Sequence, residues 1–285
     1  MKLKQLYRIL SPKFQKLCME YPVDLKPRWG GEKVPHSQLY RIINTRRNDY
    51  AALLGEALEY KDVFAGIKKN NETHDKFEPT YNNEYLPGLD IIGIYTMLKH
   101  FNPETYVEVG SGFSTKVAAK SIRENQLRTK IVSIDPQPRA EIDELADKVI
   151  REPFENTDFS FIFNLKENDI LFIDNSHRIL PNSDAMVFFM EVLPNLPKGV
   201  VVHVHDIYLP YDYPQFMCDR FYSEQYGLAA FLLANSEKYQ PILPNFFISQ
   251  DKELHSILNP IWEIPALQGV EHHGGSFWLK VSDYR

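Results

Sequence analysis

Tyr106-Val107-Glu108-Val109-Gly110-Ser111-Gly112-Phe113-Ser114-Thr115 decides the fold: an apolar run stops abruptly in two glycines spaced by one residue. It reads as a strand entering a tight loop. Lys116 to Arg123 then carries Val117, Ala118, Ala119 and Ile122 at helical spacing, so the unit is strand, glycine turn, helix. Glycine accepts positive φ and lets a ligand approach the backbone, while the unpaired N–H groups of the following helix attract polar or anionic atoms. The expectation is a cradle for a small molecule, with a plain strand-to-helix turn as the alternative.

Downstream the pattern repeats. Lys130 to Asp135 is an apolar run of strand length ending in an acid, Val149-Ile150 is a short third strand, and Asp169 to Asp174 is a fourth, again closing in Asp. Ala185 to Leu193 reads as helix and Gly199 to Asp206 as a fifth strand. Phe216 to Asn235 is a helix candidate, Tyr239 to Phe247 a sixth strand broken by Pro241 and Pro244, and Leu254 to Trp262 another helix. Gly275 to Val281 is the last strand. Strands apolar on both faces that alternate with helices predict an α/β fold whose mostly parallel sheet is covered on both sides. Ligands in such sheets sit beyond the carboxyl ends of the strands, where Gly110, Asp135, Asp174, His205 and Asp206 all fall.

Upstream, Ile91 to His100 is an apolar helix that stops near Pro103. Residues 1–84 alternate helical patches with breaks such as Tyr21-Pro22 and Lys26 to Gly31, and predict an N-terminal helical extension ahead of a main domain at 85–285. Within it, Leu39 to Lys68 has the best helical periodicity; it serves as a lid over the ligand edge or as plain structure. Met1 to Leu10 reads as an amphipathic helix rather than a signal peptide.

The 285 residues carry 32 basic and 38 acidic side chains, a net charge of −6 with no basic block, which argues against a nucleic-acid partner. No stretch approaches the about 18 consecutive apolar residues of a membrane span. Cys18 and Cys218 stand far apart in no metal-type spacing and read as reduced thiols. These features predict a cytoplasmic protein with a small-molecule partner, no membrane or nucleic-acid partner, and a homodimer admitted but not specified.

Asp135 follows Gly110 by 25 residues, where nucleoside-binding folds place an acid that accepts both ribose hydroxyls. Tyr106 to Thr115, Ile131 to Asp135, Asp169 to His177, Val200 to Asp206 and the final strand together resemble the class I S-adenosylmethionine-dependent methyltransferases. The forms E-V-G-S-G-F-S-T, F-I-D-N-S-H and H-D-I-Y-L-P-Y-D-Y-P resemble a bacterial subgroup of that class. Ser114 stands where a third glycine is often found, which argues against a pyrophosphate-binding NAD site.

The resemblance implies a Rossmann-like seven-stranded sheet with an antiparallel last strand. It also implies S-adenosylmethionine as cofactor, with Glu108, Gly110, Ser111, Gly112, Ser114 and Thr115 around its methionine part and Asp135 on its ribose. Residues 152–154 would flank the adenine, and Asp174 would lie nearest the transferred methyl. For catalysis, Asp174, His177, His205 and Asp206 offer two arrangements. A histidine takes the proton of a substrate hydroxyl, oriented by a carboxylate. Alternatively Asp174, His205 and Asp206 hold a divalent cation, Mg or similar, as in the metal-dependent O-methyltransferases, although those have Asp-Asn where this chain has His205-Asp206.

His203 reads as a structural histidine, His272 and His273 as loop residues, and Tyr208 to Pro214 as a pocket wall or a packed loop. The expected activity is O-methylation of a small hydroxylated acceptor, a sugar or phenol. N-methylation, a cofactor-binding protein without transferase activity, and an NAD-dependent oxidoreductase are the rivals.

Overall fold

In the computed structural model, Val109, Ile134, Ile173 and Val204 are register partners from strand to strand, so the residues that follow them share one edge of the sheet. The structure describes residues 7, 10–12, 15–31, 34–73, 75–138 and 141–283. The amphipathic helix expected at Met1 to Leu10 lies largely outside them.

The helical stretch expected around Leu39 to Lys68 holds three helices: α1 (Ser37–Asn44), α2 (Arg47–Ala57) and α3 (Lys61–Gly66). A two-residue parallel bridge, Lys68–Lys69 with Thr80–Tyr81, leads to α4 (Gly88–Phe101). Its residues 88–98 are all buried, and Asn102 ends it in left-handed backbone (φ 43°) ahead of Pro103. The doubly wound unit follows: β1 (Thr105–Val109), α5 (Phe113–Glu124), β2 (Lys130–Ile134), β3 (Lys148–Ile150), β4 (Ile170–Ile173), α6 (Asp184–Val187) and β5 (Val201–Val204). Every residue of β4 and β5 is buried, as a sheet covered on both faces requires.

The helix expected at Phe216 to Asn235 is broken into α7 (Gln215–Cys218) and α8 (Glu224–Asn235), with Phe221 between them in left-handed backbone (φ 60°). The break lets Tyr222 fold back onto the site. β6 (Tyr239–Pro244) ends earlier than expected, and residues 245–250 become α9 (Asn245–Gln250). β6 carries its prolines because it is an edge strand with an irregular register between Pro241 and Leu243. The helix expected at Leu254 to Trp262 is split into α10 (Lys252–Ser256) and α11 (Asn259–Trp262), and β7 (Phe277–Val281) closes the sheet.

The strand order is β3-β2-β1-β4-β5-β7-β6, with β7 antiparallel to both neighbours. This is the expected seven-stranded, mostly parallel sheet. One continuous core joins it to the N-terminal helices: Tyr50, Leu54 and Phe64 are buried with α4, and the Phe64 ring lies 5.5 Å from that of Tyr95.

Candidate active site

Gly110 has a φ of +81°, and a Cβ there would fall 1.8 Å from the carbonyl oxygen of Asp174. The loop after β1 is thus pressed against the end of β4, and only glycine permits that approach. Beyond it the Ser111 N–H donates to Asp135 Oδ2 at 3.0 Å, and the Gly112 N–H donates to Thr115 Oγ1 at 3.0 Å. Glu108 is fully buried behind the loop, accepting from the Ser114 and Thr115 hydroxyls. Burial pushes its carboxyl up to about 8 against the pull of those two hydroxyls, so at neutral pH it is mostly a protonated brace.

A cavity of about 1140 Å³ opens on this loop, lined by Gly110, Ser111, Gly112, Ser114, Asp135, Asp174 and His205, with Pro153 and Phe154 also on its wall. Glu108 and Thr115 have no exposed surface and support the loop from behind. S-adenosylmethionine fits this lining. Asp135 accepts one backbone N–H on each oxygen, from Ser111 and Gln137, and a carboxylate oxygen so engaged still accepts a ribose hydroxyl. The volume exceeds what one small ligand needs and leaves room for an acceptor.

Asp174 and His205, at the ends of β4 and β5, meet His177 and Asp206. His177 Nε2 lies 3.6 Å from Asp174 Oδ1 and 3.5 Å from Asp206 Oδ2; His205 Nδ1 lies 3.7 Å from Asp174 Oδ1 and 3.7 Å from Asp206 Oδ1. The four residues expected to carry the chemistry are therefore one cluster. His177 and Asp206 reach it through left-handed backbone (φ 62° and 56°), conformations that cost a non-glycine residue of order 1 kcal/mol and mark geometry set by the site.

Each histidine is backed by a buried carboxylate that sequence reasoning missed. His205 Nε2 is 3.2 Å from Asp90 Oδ2, and His177 Nδ1 is 2.5 Å from Glu224 Oε1; neither acid has any exposed surface. Asp90 sits in the first turn of α4, where Asn245 Nδ2 and the N–H groups of Gly275 and Ser276 also donate to it. Burial raises its carboxyl, but His205 and these donors outweigh that and hold it down at about 2. Glu224 opens α8; burial lifts its carboxyl to about 7 although His177 pulls it down. Burial disfavours the charged rings, yet the facing carboxylates prevail, lifting His177 to about 9 and His205 well above the usual histidine value. The signal for Asp90 was a single acid opening an otherwise apolar helix; for Glu224 it was an acid directly after Ser223 at the start of one.

His203 is fully buried, stacked 3.9 Å from Trp278, and held neutral by burial and by its neighbour His205, as a structural histidine should be. His272 stacks on Trp262 at 4.5 Å, and the His273 carbonyl accepts from the Leu89 N–H at the start of α4. Of the aromatic run, Tyr208 and Tyr211 lie against Phe246 and Tyr213 is buried beside Tyr222, as in a packed loop. Among the described residues, no three His, Cys, Asp or Glu side chains stand as a ready-made metal site. No helix among them is long and apolar enough to cross a membrane.

No curated protein matches the chain significantly. Among solved structures, the chain is similar to a Podospora anserina methyltransferase bound to SAH (14% identity, 80% of this chain and 88% of that one, TM-score 0.42). It is also similar to the plantazolicin methyltransferase BpumL in complex with a desmethylPZN analog and SAH (13%, 85% and 100%, TM-score 0.46). A third is a putative caffeoyl-CoA O-methyltransferase from Staphylococcus aureus (12%, 67% and 83%, TM-score 0.40). Residues 107–207, from the middle of β1 to just beyond β5, match a family described as a methyltransferase domain. That match places a methyltransferase domain over the strands that build the cradle and the cluster, and the strand order is the one that the resemblance to class I S-adenosylmethionine-dependent methyltransferases implies.

Proposed function

We propose that the chain transfers the methyl of S-adenosylmethionine to an oxygen of a small hydroxylated acceptor, a sugar or a phenol-like ring. The observation that carries this is the pairing of each histidine with a buried carboxylate, both rings then facing Asp174 and Asp206 beside the donor cavity. Methyl transfer from a sulfonium is an in-line displacement: the acceptor oxygen bonds to the methyl carbon as the carbon–sulfur bond breaks, leaving S-adenosylhomocysteine. The hydroxyl must lose its proton along the way, whereas an amine attacks through its own lone pair. A centre of four carboxylates and two histidines answers that need. Asp174 and Asp206, 22% and 19% exposed, are the groups of this centre placed to take the hydroxyl proton.

A divalent cation held by Asp174, His205 and Asp206 is the second form of this reading. What supports it is that His205 Nδ1 lies 3.7 Å from both Asp174 Oδ1 and Asp206 Oδ1, so one nitrogen and two carboxylates face one another at the strand ends. Such an ion, when bound, lowers the pKa of a hydroxyl beside it. Gln15, Lys16 and Leu17 line the same cavity, which supports the N-terminal segment as its cover.

The test is incubation with methyl-labelled S-adenosylmethionine and matched hydroxyl and amine acceptors, locating the label by mass spectrometry. The expected product is an O-methyl ether, with kcat reduced at least about 100-fold in Asp206→Asn and cofactor affinity unchanged. Label found on nitrogen, or full turnover in Asp206→Asn, sinks the proposal.

A further inference from the structure

We propose that the hydroxylated acceptor is an aromatic acid, its ring lying against Leu180 and Phe221 and its carboxylate on the guanidinium groups of Arg178 and Arg220. The inference rests on the reading of the centre as one that methylates a hydroxyl, and it gives that acceptor a charge and a shape.

The first argument is a pair of cations without acids. Arg178 and Arg220 both line the donor cavity. Arg178 is fixed in place, its Nε donating to the Arg220 carbonyl at 2.7 Å and its Nη1 to the Ser176 carbonyl at 3.1 Å, which leaves Nη2 with no protein acceptor among the described residues. The Arg220 guanidinium touches the Tyr222 ring and forms no ion pair among the described residues. Acids are at hand on the same wall, but they are otherwise engaged. Asp184 takes the N–H and hydroxyl of Ser176, and Asp219 takes the Gln215 amide. In a chain with more acidic than basic side chains, two cavity arginines left unpaired suit a negative charge that arrives with the ligand.

The second argument is where those charges are held. The guanidinium carbons lie over the Tyr222 ring, at 4.7 Å for Arg220 and 5.4 Å for Arg178, and Tyr222 stacks on His177 at 4.5 Å. Contact with the ring uses the flat face of a guanidinium and leaves its N–H edge for a carboxylate. The anion is thereby received one aromatic side chain away from the histidine that faces Asp174 and Asp206, clear of the repulsion of those two carboxylates. A rigid acceptor with its acid at one end and its hydroxyl at the other spans from the arginines to the centre.

The third argument is apolar surface. Leu180 and Phe221 are exposed, and both lie on the cavity wall, two residues and one residue after the two arginines. Phe221 takes left-handed backbone (φ 60°), a conformation that a side chain of this size adopts at a cost. Open apolar surface beside cations matches a flat ring carrying an acid and serves a sugar, with hydroxyls all round it, less well.

The experiment saturates the full-length protein with S-adenosylhomocysteine and titrates it calorimetrically with 3-hydroxybenzoate, 4-hydroxybenzoate and 4-hydroxycinnamate, each against its neutral amide, and with glucose 6-phosphate. At least one of the acids should bind at least about 10-fold more tightly than its amide and than the sugar phosphate. Arg178→Gln and Arg220→Gln should each weaken that acid at least about 10-fold, with the lysine variants in between, while affinity for S-adenosylmethionine, unchanged, shows that the variants are folded. No acid that outbinds its amide, a preference that survives both glutamine variants, or tightest binding by glucose 6-phosphate overturns the inference. With methyl-labelled S-adenosylmethionine the two readings separate. An acid held by the arginines that gains no O-methyl group overturns only the proposed function, and amides O-methylated as fast as their acids overturn only the aromatic acid.

Discussion

Asp90 and His205 lie 115 residues apart in the chain, yet their side chains meet at 3.2 Å in the fully buried layer between α4 and the end of β5. Asp90→Asn keeps the shape of this contact and removes the charge that orients the ring. We expect kcat for methyl transfer to fall about 10- to 100-fold while the Kd for S-adenosylmethionine, measured by calorimetry, stays unchanged. A parallel loss in cofactor affinity would reassign Asp90 to general scaffolding.

Gly110→Ala should abolish cofactor binding. The added methyl collides with the Asp174 carbonyl at 1.8 Å in backbone that already has a φ of +81°, so the loop must leave the end of β4. Calorimetry should show affinity lowered by at least about 100-fold, together with a drop in Tm. Gly112 has nothing within 4 Å of its would-be Cβ, so Gly112→Ala is the milder control.

Asp135→Ala should weaken S-adenosylmethionine about 10- to 100-fold, the worth of hydrogen bonds to a charged acceptor. Asp135→Asn should fall between, since it retains one acceptor oxygen. Equal binding by all three proteins would remove Asp135 from the ribose.

Glu108 supplies a pH dependence of stability. Its carboxyl titrates at about 8 when folded, against an ordinary value of 4.5. Between those values the unfolded chain releases the proton and the folded chain keeps it, so this residue lowers stability progressively as pH rises from about 4.5 to about 8. In the cofactor-free protein, Glu108→Gln should therefore raise Tm at pH 8 by at least about 2 °C and leave it unchanged near pH 4.5. A Tm difference independent of pH would show that the carboxyl is ionised when folded.

The N-terminal helices contribute to the core rather than only covering it. Phe64 of α3 is fully buried against Tyr95 of α4, so Phe64→Ala should cost about 3–5 kcal/mol, read as a lowered urea midpoint. A loss under about 1 kcal/mol would mean that α3 is only loosely docked.

The sheet was legible because β1, β2, β4 and β5 are short apolar runs closed by glycine or an acid, and in-register parallel strands bring such endings to one edge. Asp174, His177, His205 and Asp206 were legible for the same reason. Asp90 and Glu224 were not, because what matters about them is burial against a histidine from a distant segment, and burial of a lone acid leaves no periodicity to read. Helix breaks were also missed. The turn at residues 219–223 follows from tertiary contacts, with Tyr222 drawn onto His177, rather than from any proline or glycine in that stretch.

The loop from Gly274 to Ser276 closes on Asp90 immediately before β7, the last strand to be synthesised. His205 is thus oriented from both ends of the domain: the acid that braces it comes from α4, and that acid is held in turn by the loop into β7, so the geometry at the end of β5 is set only when three distant segments close together.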